Sequence, residues 1–258
     1  MVFTDSHTHL YAEEFDHDRD AIFRRAGQQG VMYLFLPAID SVYHEPMLRV
    51  VSAFPNFCYP MMGLHPTSVK ENYLKELEIV EDYLANPALK FYAIGEVGID
   101  LYWDKTHEEA QKVAFECQLD LAVKYDLPVV IHTRNSMDIA LDILTERHDR
   151  RLRGVFHCFS GNTEQAKRAV GLGFMLGIGG VITYKNSGLQ TVVQNTGFEN
   201  MLLETDAPWL PPVPYRGQRN EPSYIPVIAQ KIAEIKNVPL ETVAEITTSN
   251  ALRLFGIA

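Results

Sequence analysis

Eight short β-branched or apolar runs, each followed by a longer amphipathic stretch, constrain this chain more than any other feature. The runs lie at residues 1–5, 31–37, 57–62, 91–95, 128–132, 154–157, 174–178 and 200–204. Between them, sets such as Ala110, Val113, Cys117 and Leu121 fall at the three-to-four spacing of a helix with one apolar stripe. Thr106 and Glu109 predict a capping box at the start of that helix. After the eighth run, Ile225, Ile228, Ala229, Ile232 and Ile235 repeat the helical spacing. A last helix is expected from about Leu240 to a stop at Gly256, a usual C-terminal residue. Eight strands alternating with helices predict an α/β fold, a (β/α)8 TIM barrel, with a doubly wound open sheet as the competing arrangement. No linker, low-complexity tract or internal repeat divides residues 1–258, so a single domain is expected.

Composition narrows the function classes. The chain is 47% hydrophobic and 22% charged, as ordinary globular proteins are. No apolar run approaches the roughly 18 residues of a spanning helix, and no basic-then-apolar leader pattern opens the chain. Cys58, Cys117 and Cys158 are odd in number and far apart, which suits a reducing compartment and a cytoplasmic location better than a disulfide framework. A net charge of −10 argues against broad electrostatic capture of nucleic acid, though it leaves room for a small basic site. Neither a membrane nor an obligatory protein partner is expected.

A barrel places function where its strands end. The ionisable residues gather there. His7 and His9 follow the first run, two residues apart and therefore able to project from one face, with Asp5 behind them. Glu96 follows the fourth run, His132 closes the fifth, His157 closes the sixth and Asp206 follows the eighth. Burying such groups unpaired would cost several kcal/mol, and a shared metal centre satisfies all of them together.

The motifs run in order along nearly the whole chain. They are Asp5-Ser6-His7-Thr8-His9-Leu10, Gly63-Leu64-His65-Pro66, Ala93-Ile94-Gly95-Glu96-Val97-Gly98-Ile99-Asp100 and Ile131-His132-Thr133-Arg134. Then come His157-Cys158-Phe159-Ser160-Gly161, Leu203-Glu204-Thr205-Asp206-Ala207-Pro208 and Arg216-Gly217-x-x-Asn220-x-Pro222. In this series the chain resembles the TatD-related metal-dependent hydrolases, a branch of the amidohydrolase superfamily known chiefly for deoxyribonuclease activity. It departs mildly: the family often has Cys at the position of Thr8 and Tyr at that of Trp209. Strand alternation turns Thr8 away from the metals.

The resemblance implies a centre of two divalent ions (Mg2+, Mn2+ or Zn2+), with room for a third. His7, His9, Glu96 and Asp206 would hold one ion, and Glu96 would bridge to a second held by His132 and His157. Asp206 would also serve as general base towards a metal-activated water. Glu204 stands two residues from Asp206 and is a candidate ligand of the additional ion. Imidazole-rich ligation favours Zn, Mn, Fe or Ni over Mg, although the family's nucleases are described as using magnesium. His65 has a family counterpart near the substrate, or else caps the turn before Pro66. Arg134, Arg216 and Asn220 are candidate phosphate contacts, the last two in the long Pro-rich loop 209–222. Gly177-Ile178-Gly179-Gly180 and Lys185 follow the seventh run, where barrels often bind phosphate, or else form a tight turn. Tyr102 and Trp103 can stack on a base or pack on one another. His17, His44, His107 and His148 read as solvated, and Cys158 as core packing.

The expected activity is hydrolysis of DNA phosphodiesters, 3′-to-5′ exonuclease-like, on single strands or at ends. The acidic net charge favours grasping a few nucleotides in the mouth over wrapping a duplex. Deacylation of D-aminoacyl-tRNA, or another ester or amide hydrolysis on the same metals, is the first alternative. A non-catalytic metal or nucleic-acid binding module is the second.

Overall fold

The computed structural model describes residues 1–257. Strands β1 (Phe3–Asp5), β2 (Val31–Leu36), β3 (Cys58–Pro60), β4 (Ile94–Asp100), β5 (Val129–Arg134), β6 (Gly154–Phe156), β7 (Phe174–Ile178) and β8 (Met201–Leu203) run in chain order. Helices α1 (Arg19–Gln28), α2 (Ser41–Ala53), α3 (Tyr73–Ala85), α4 (Glu108–Tyr125), α5 (Met137–Arg147), α6 (Thr163–Gly171) and α7 (Leu189–Asn195) alternate with them, and α8 (Ile225–Lys236) and α9 (Leu240–Phe255) follow. Every strand pairs in parallel with its neighbour within β1–β3 and within β4–β8. Backbone bonds join the two sets at both seams. Met62 donates to Ala93 and Gly95 donates to Met62, while Ser6 donates to Leu203 and His9 to Ala207. The result is the closed (β/α)8 barrel rather than the open sheet.

Strand alternation divides the core in two. Phe35, Met61, Ala93, Val130, Val155 and Leu202 point into the barrel and meet Leu254 and Phe255 of α9, which plug its lower end. Their neighbours Leu34, Leu36, Val129, Ile131, Phe156, Met201 and Leu203 face outward into the larger core under the helices. The parity continues upward to His132 and His157. In β4 it changes: the register slips between Ile94 and Val97, so Val97 and Ile99 pack outward, although Ala93 packs inward.

Several local expectations are corrected. β4 begins three residues later than residue 91 and runs through Glu96, which stands inside the strand. His132 likewise lies two residues before the end of β5. Thr106 does not cap α4; its N–H is taken by Asp104, and His107 is the N-cap residue without a side-chain bond. The buried face of α4 runs through Gln111, Ala114, Phe115, Gln118, Leu119 and Ala122, leaving Val113 exposed. Polar residues hold that face because Gln118 bonds both backbone groups of Leu64, and Gln111 those of Asp100. His44 is fully buried, edge-on to Tyr83, because α2 turns it inward against α3. Gly256, at φ 68°, ends α9 as expected. Among the described residues, no helix is long and apolar enough to cross a membrane.

Candidate metal centre

At the upper rim β1 ends at Asp5, and the chain beyond it turns two imidazoles inward. The buried Asp5 carboxylate accepts the N–H groups of His7 (3.3 Å) and Thr205 (2.9 Å), fastening the end of β1 to the segment after β8. Burial pushes its pKa up to about 8, with Glu204 adding to the rise. His7 Nε2 and His9 Nε2 converge to 3.2 Å. Two ring nitrogens so close can share one proton at most, so at least one lone pair is directed into the gap.

Glu96 stands at the centre of the cluster. Its Oε2 lies 3.1 Å from His7 and 3.6 Å from His9. Its Oε1 lies 2.7 Å from His132 Nδ1, 2.8 Å from His157 Nε2 and 3.3 Å from His65 Nε2. Asp206 Oδ1 closes the first group at 3.8 Å from His7 and 3.7 Å from His9. The carboxylate of Glu96 therefore faces one set of donors with each oxygen. Three ligand sets have their donor atoms within 4.8 Å of one another: His7, His9 and Glu96; His7, His157 and Asp206; and His65, Glu96 and His132. Such nitrogen and carboxylate donors fit divalent transition ions, which take neutral imidazole and bridging carboxylate.

A second layer orients these donors. Tyr11 Oη lies 2.8 Å from His9 Nδ1 and donates to the Pro37 carbonyl. Asp100 Oδ2 lies 2.9 Å from His132 Nε2, on the far side of the ring from Glu96. Glu204, fully buried, sits behind His157 at 3.5 Å from Nδ1 and accepts the N–H of Cys158. Its other oxygen leaves no space for a side chain at position 177: a Cβ there would meet it at 2.2 Å, which accounts for Gly177. His65 caps its turn, as one of its two readings expects, and also reaches the cluster. Its Nδ1 accepts the Thr67 N–H and caps the turn Pro66–Ser68, while Nε2 faces Glu96.

The charges follow from burial and neighbours. Burial works against the Glu96 anion, but His157, His65, His7 and His132 outweigh it and hold its pKa well below the usual carboxylate range. Burial likewise opposes the His157 cation, yet Glu96 and Glu204 on its two sides hold its pKa well above that of free histidine. Burial and the adjacent His7 push His9 well down, towards the neutral ligand form. Asp206 is pushed up to about 7, by burial first, with the carboxylates of Glu96 and Glu204 adding to it.

These groups open into a cavity of about 610 Å³ rimmed by Trp103, Arg134, Cys158, Trp209 and Leu210. Arg134 stands at this mouth with its guanidinium 3.7 Å above Tyr102. Arg216, 4.3 Å above Tyr184, lies with Lys185 in a separate hollow that meets the cavity at Val181. Asn220 is not at the mouth. It is fully buried, and its amide donates to the carbonyls of Thr205 and Trp209, pinning the loop 209–222 instead of facing a ligand. Glu204 is likewise away from the mouth, behind His157, and not among the three converging sets. Cys158 is a correction of the opposite kind: a left-handed φ of 43° turns it to the cavity wall, out of the core. His17 and His148 are exposed, while His107 is half-buried 3.8 Å from Glu71. Sequence reading missed Tyr11 and Asp100 as orienting groups. For Asp100 a signal existed, since it stands four residues from Glu96 in one strand, on the same face.

The family profile described as TatD related DNase matches residues 4–256. The uncharacterized metal-dependent hydrolase YabD of Bacillus subtilis (strain 168) is 36% identical over 258 residues, covering 100% of both chains. The uncharacterized metal-dependent hydrolase YjjV of Escherichia coli (strain K12) is 35% identical, covering 99% of this chain and 98% of its own. The crystal structure of YjjV, a TatD homolog from Escherichia coli K12, superposes with a TM-score of 0.93, covering 99% of this chain and 98% of that one.

Proposed function

This chain belongs to the TatD-related DNase family of metal-dependent hydrolases, and we propose that its reaction is hydrolysis of phosphodiester bonds in DNA, on single strands or at chain ends in an exonuclease-like manner. One observation carries the reading: two sets of buried donors meet on the two oxygens of Glu96, beneath a rim that bears Arg134. When bound, two divalent ions supply the positive charge that polarises a phosphoryl group and acidifies water.

The residues contribute the rest. Glu96 fixes the separation of the two donor sets, and Tyr11, Asp100 and Glu204 fix the direction of His9, His132 and His157. Asp206, whose Oδ1 stands among the donors at 3.7–3.8 Å from His9 and His7, would accept the proton of the attacking water at its carboxylate. Arg134 takes part in no ion pair among the described residues, so its donors are free for phosphate oxygens. Arg216 in the adjoining hollow offers a second such group. The long loop 209–222 is anchored at Asn220 and by Arg25 on Glu221, which keeps that rim in place.

The test compares substrates on one preparation loaded in turn with Mg2+, Mn2+ and Zn2+. Cleavage of end-labelled single-stranded DNA from its 3′ end, with circular single-stranded DNA resistant, supports the reading. Faster turnover of D-aminoacyl-tRNA than of any phosphodiester would replace it. Metal binding with no hydrolysis of either would leave a binding module.

A further inference from the structure

The chain has two tryptophans, and both stand at the mouth of the metal cavity. Trp103 is 75% exposed and Trp209 46% exposed, an unusual position for the largest apolar side chain. Trp103 lies just beyond β4 and Trp209 just beyond β8. Four strands apart in an eight-stranded barrel, these loops face one another across the axis. Each platform is tied to the ligand shell. The N–H of Tyr102 donates to Asp100, the same carboxylate that orients His132, and Trp209 stands edge-on to His9 at 4.9 Å between ring centres. Beside Trp103, the Arg134 guanidinium covers Tyr102 at 3.7 Å and reaches Trp103 at 5.4 Å, so one rim joins a cation to an aromatic face.

We propose that Trp103 and Trp209 are the base-recognition platforms of this enzyme, one on each side of the bond to be cut. The inference rests on the phosphodiesterase reading and deepens it. An unpaired nucleotide on either side of the scissile phosphate stacks its base on one tryptophan while the phosphate sits over Glu96 and the histidines. Bases inside a duplex are stacked on their neighbours and cannot reach these faces, so the site selects strands by unpaired bases and not by total backbone charge. This agrees with a net charge of −10, which gives phosphate attraction alone little to work with. Stacking on an aromatic side chain is sequence-tolerant and corresponds to about 5- to 150-fold in affinity per base.

Because the chain has no other tryptophan, its intrinsic tryptophan fluorescence reports these two platforms without any label. The experiment titrates the metal-loaded, full-length protein with phosphorothioate-linked oligothymidylate, which resists cutting. A parallel titration uses the same backbone carrying abasic tetrahydrofuran units. Quenching by the thymidine ligand, with at least fivefold tighter binding than the abasic one, is expected. Trp103→Leu and Trp209→Leu should each weaken thymidine binding by about 5- to 150-fold while leaving abasic binding unaltered. Equal affinity for the two ligands without quenching overturns the proposal, and this comparison uses wild-type protein only, so misfolding of a variant cannot obscure it. Hydrolysis of bis(p-nitrophenyl) phosphate on the same preparation separates the two ideas. If it proceeds while bases make no difference, the platforms are refuted and the phosphodiesterase reading survives. If no phosphodiester is cut, the underlying reading falls.

Discussion

Asp100→Asn probes how the protein aims a ligand without touching the metal position. Both oxygens of Asp100 accept: Oδ2 faces His132 Nε2 at 2.9 Å, and Oδ1 takes the Tyr102 N–H at 3.0 Å. For His132 Nδ1, 2.7 Å from Glu96, to present a lone pair to a cation, Nε2 must carry the proton and needs an acceptor. Asparagine is nearly isosteric but has one acceptor where two are required. In one orientation its NH2 meets the His132 N–H, and in the other it meets the Tyr102 N–H. Loss of such an orienting partner typically costs 10- to 100-fold in metal affinity, or roughly 1.4–2.7 kcal/mol. Asp100→Ala removes both acceptors and should fall at the upper end of that range. The assay is competition for Zn2+ between metal-stripped protein and a chromophoric chelator, with thermal unfolding in excess chelator as the control for folding. If both variants fold and bind Zn2+ within twofold of the wild type, Asp100 does not position His132, and the reasoning fails.

Three further outcomes are expected. Asp206→Asn, assayed at saturating metal with occupancy checked by elemental analysis, should lose about 10²- to 10⁴-fold in turnover, and unchanged turnover would remove Asp206 as proton acceptor. Gly177→Ala places a Cβ 2.2 Å from Glu204 and 3.1 Å from the His157 Cα; it should destabilise by about 1–3 kcal/mol, and an unaltered Tm would contradict the packing described. Asp5, buried with a pKa of about 8 against 3.8 for a free side chain, contributes stability that is complete below pH 3.8 and is lost as pH rises to about 8. Asp5→Asn should therefore become more stable relative to wild type as pH increases from 5 to 8 in chelator, by no more than about 1.4 kcal/mol per unit; parallel melting curves for the two proteins would refute this.

Much of the site could be read from local pattern because its donor residues lie in or just beyond the upper ends of apolar strands. His132 and His157 continue the inward parity of Val130 and Val155, a period-two rule visible in any strand. The cap made by His65 was legible from its place just before Pro66, and the Thr67 N–H is what it holds. Other roles depended on partners far away in the chain. Asn220 looked like a loop polar group open to ligand, but the carbonyls of Thr205 and Trp209 already occupy it. His44 looked solvated because polar residues flank it, yet the packing of α2 on α3 buries it. Gln111 and Gln118 broke the apolar stripe of α4 because backbone groups of Asp100 and Leu64 needed partners, which hydropathy does not record.

Sequence alone determined the alternation of strands and helices and the order in which His7, His9, Glu96, His132, His157 and Asp206 arrive at the rim, while the seam bonds of Met62 and Ser6 decided that the sheet closes into a barrel. The alternation and the order follow from short-range periodicity and from the cost of burying unpaired ionisable groups. Only the tertiary structure decided how Glu96 meets both donor sets. Parity counted from Ala93 would turn Val97 inward and Glu96 away. The register slip between Ile94 and Val97 reverses that parity, bringing Glu96 and Asp100 to the interior and sending Val97 and Ile99 to the helices. A bulge of this kind is set by hydrogen bonds to the neighbouring strands: Gly95 donates to Met62, and the residues from Val97 onward pair with β5. Its partners lie some thirty residues away on either side, beyond the reach of any local pattern.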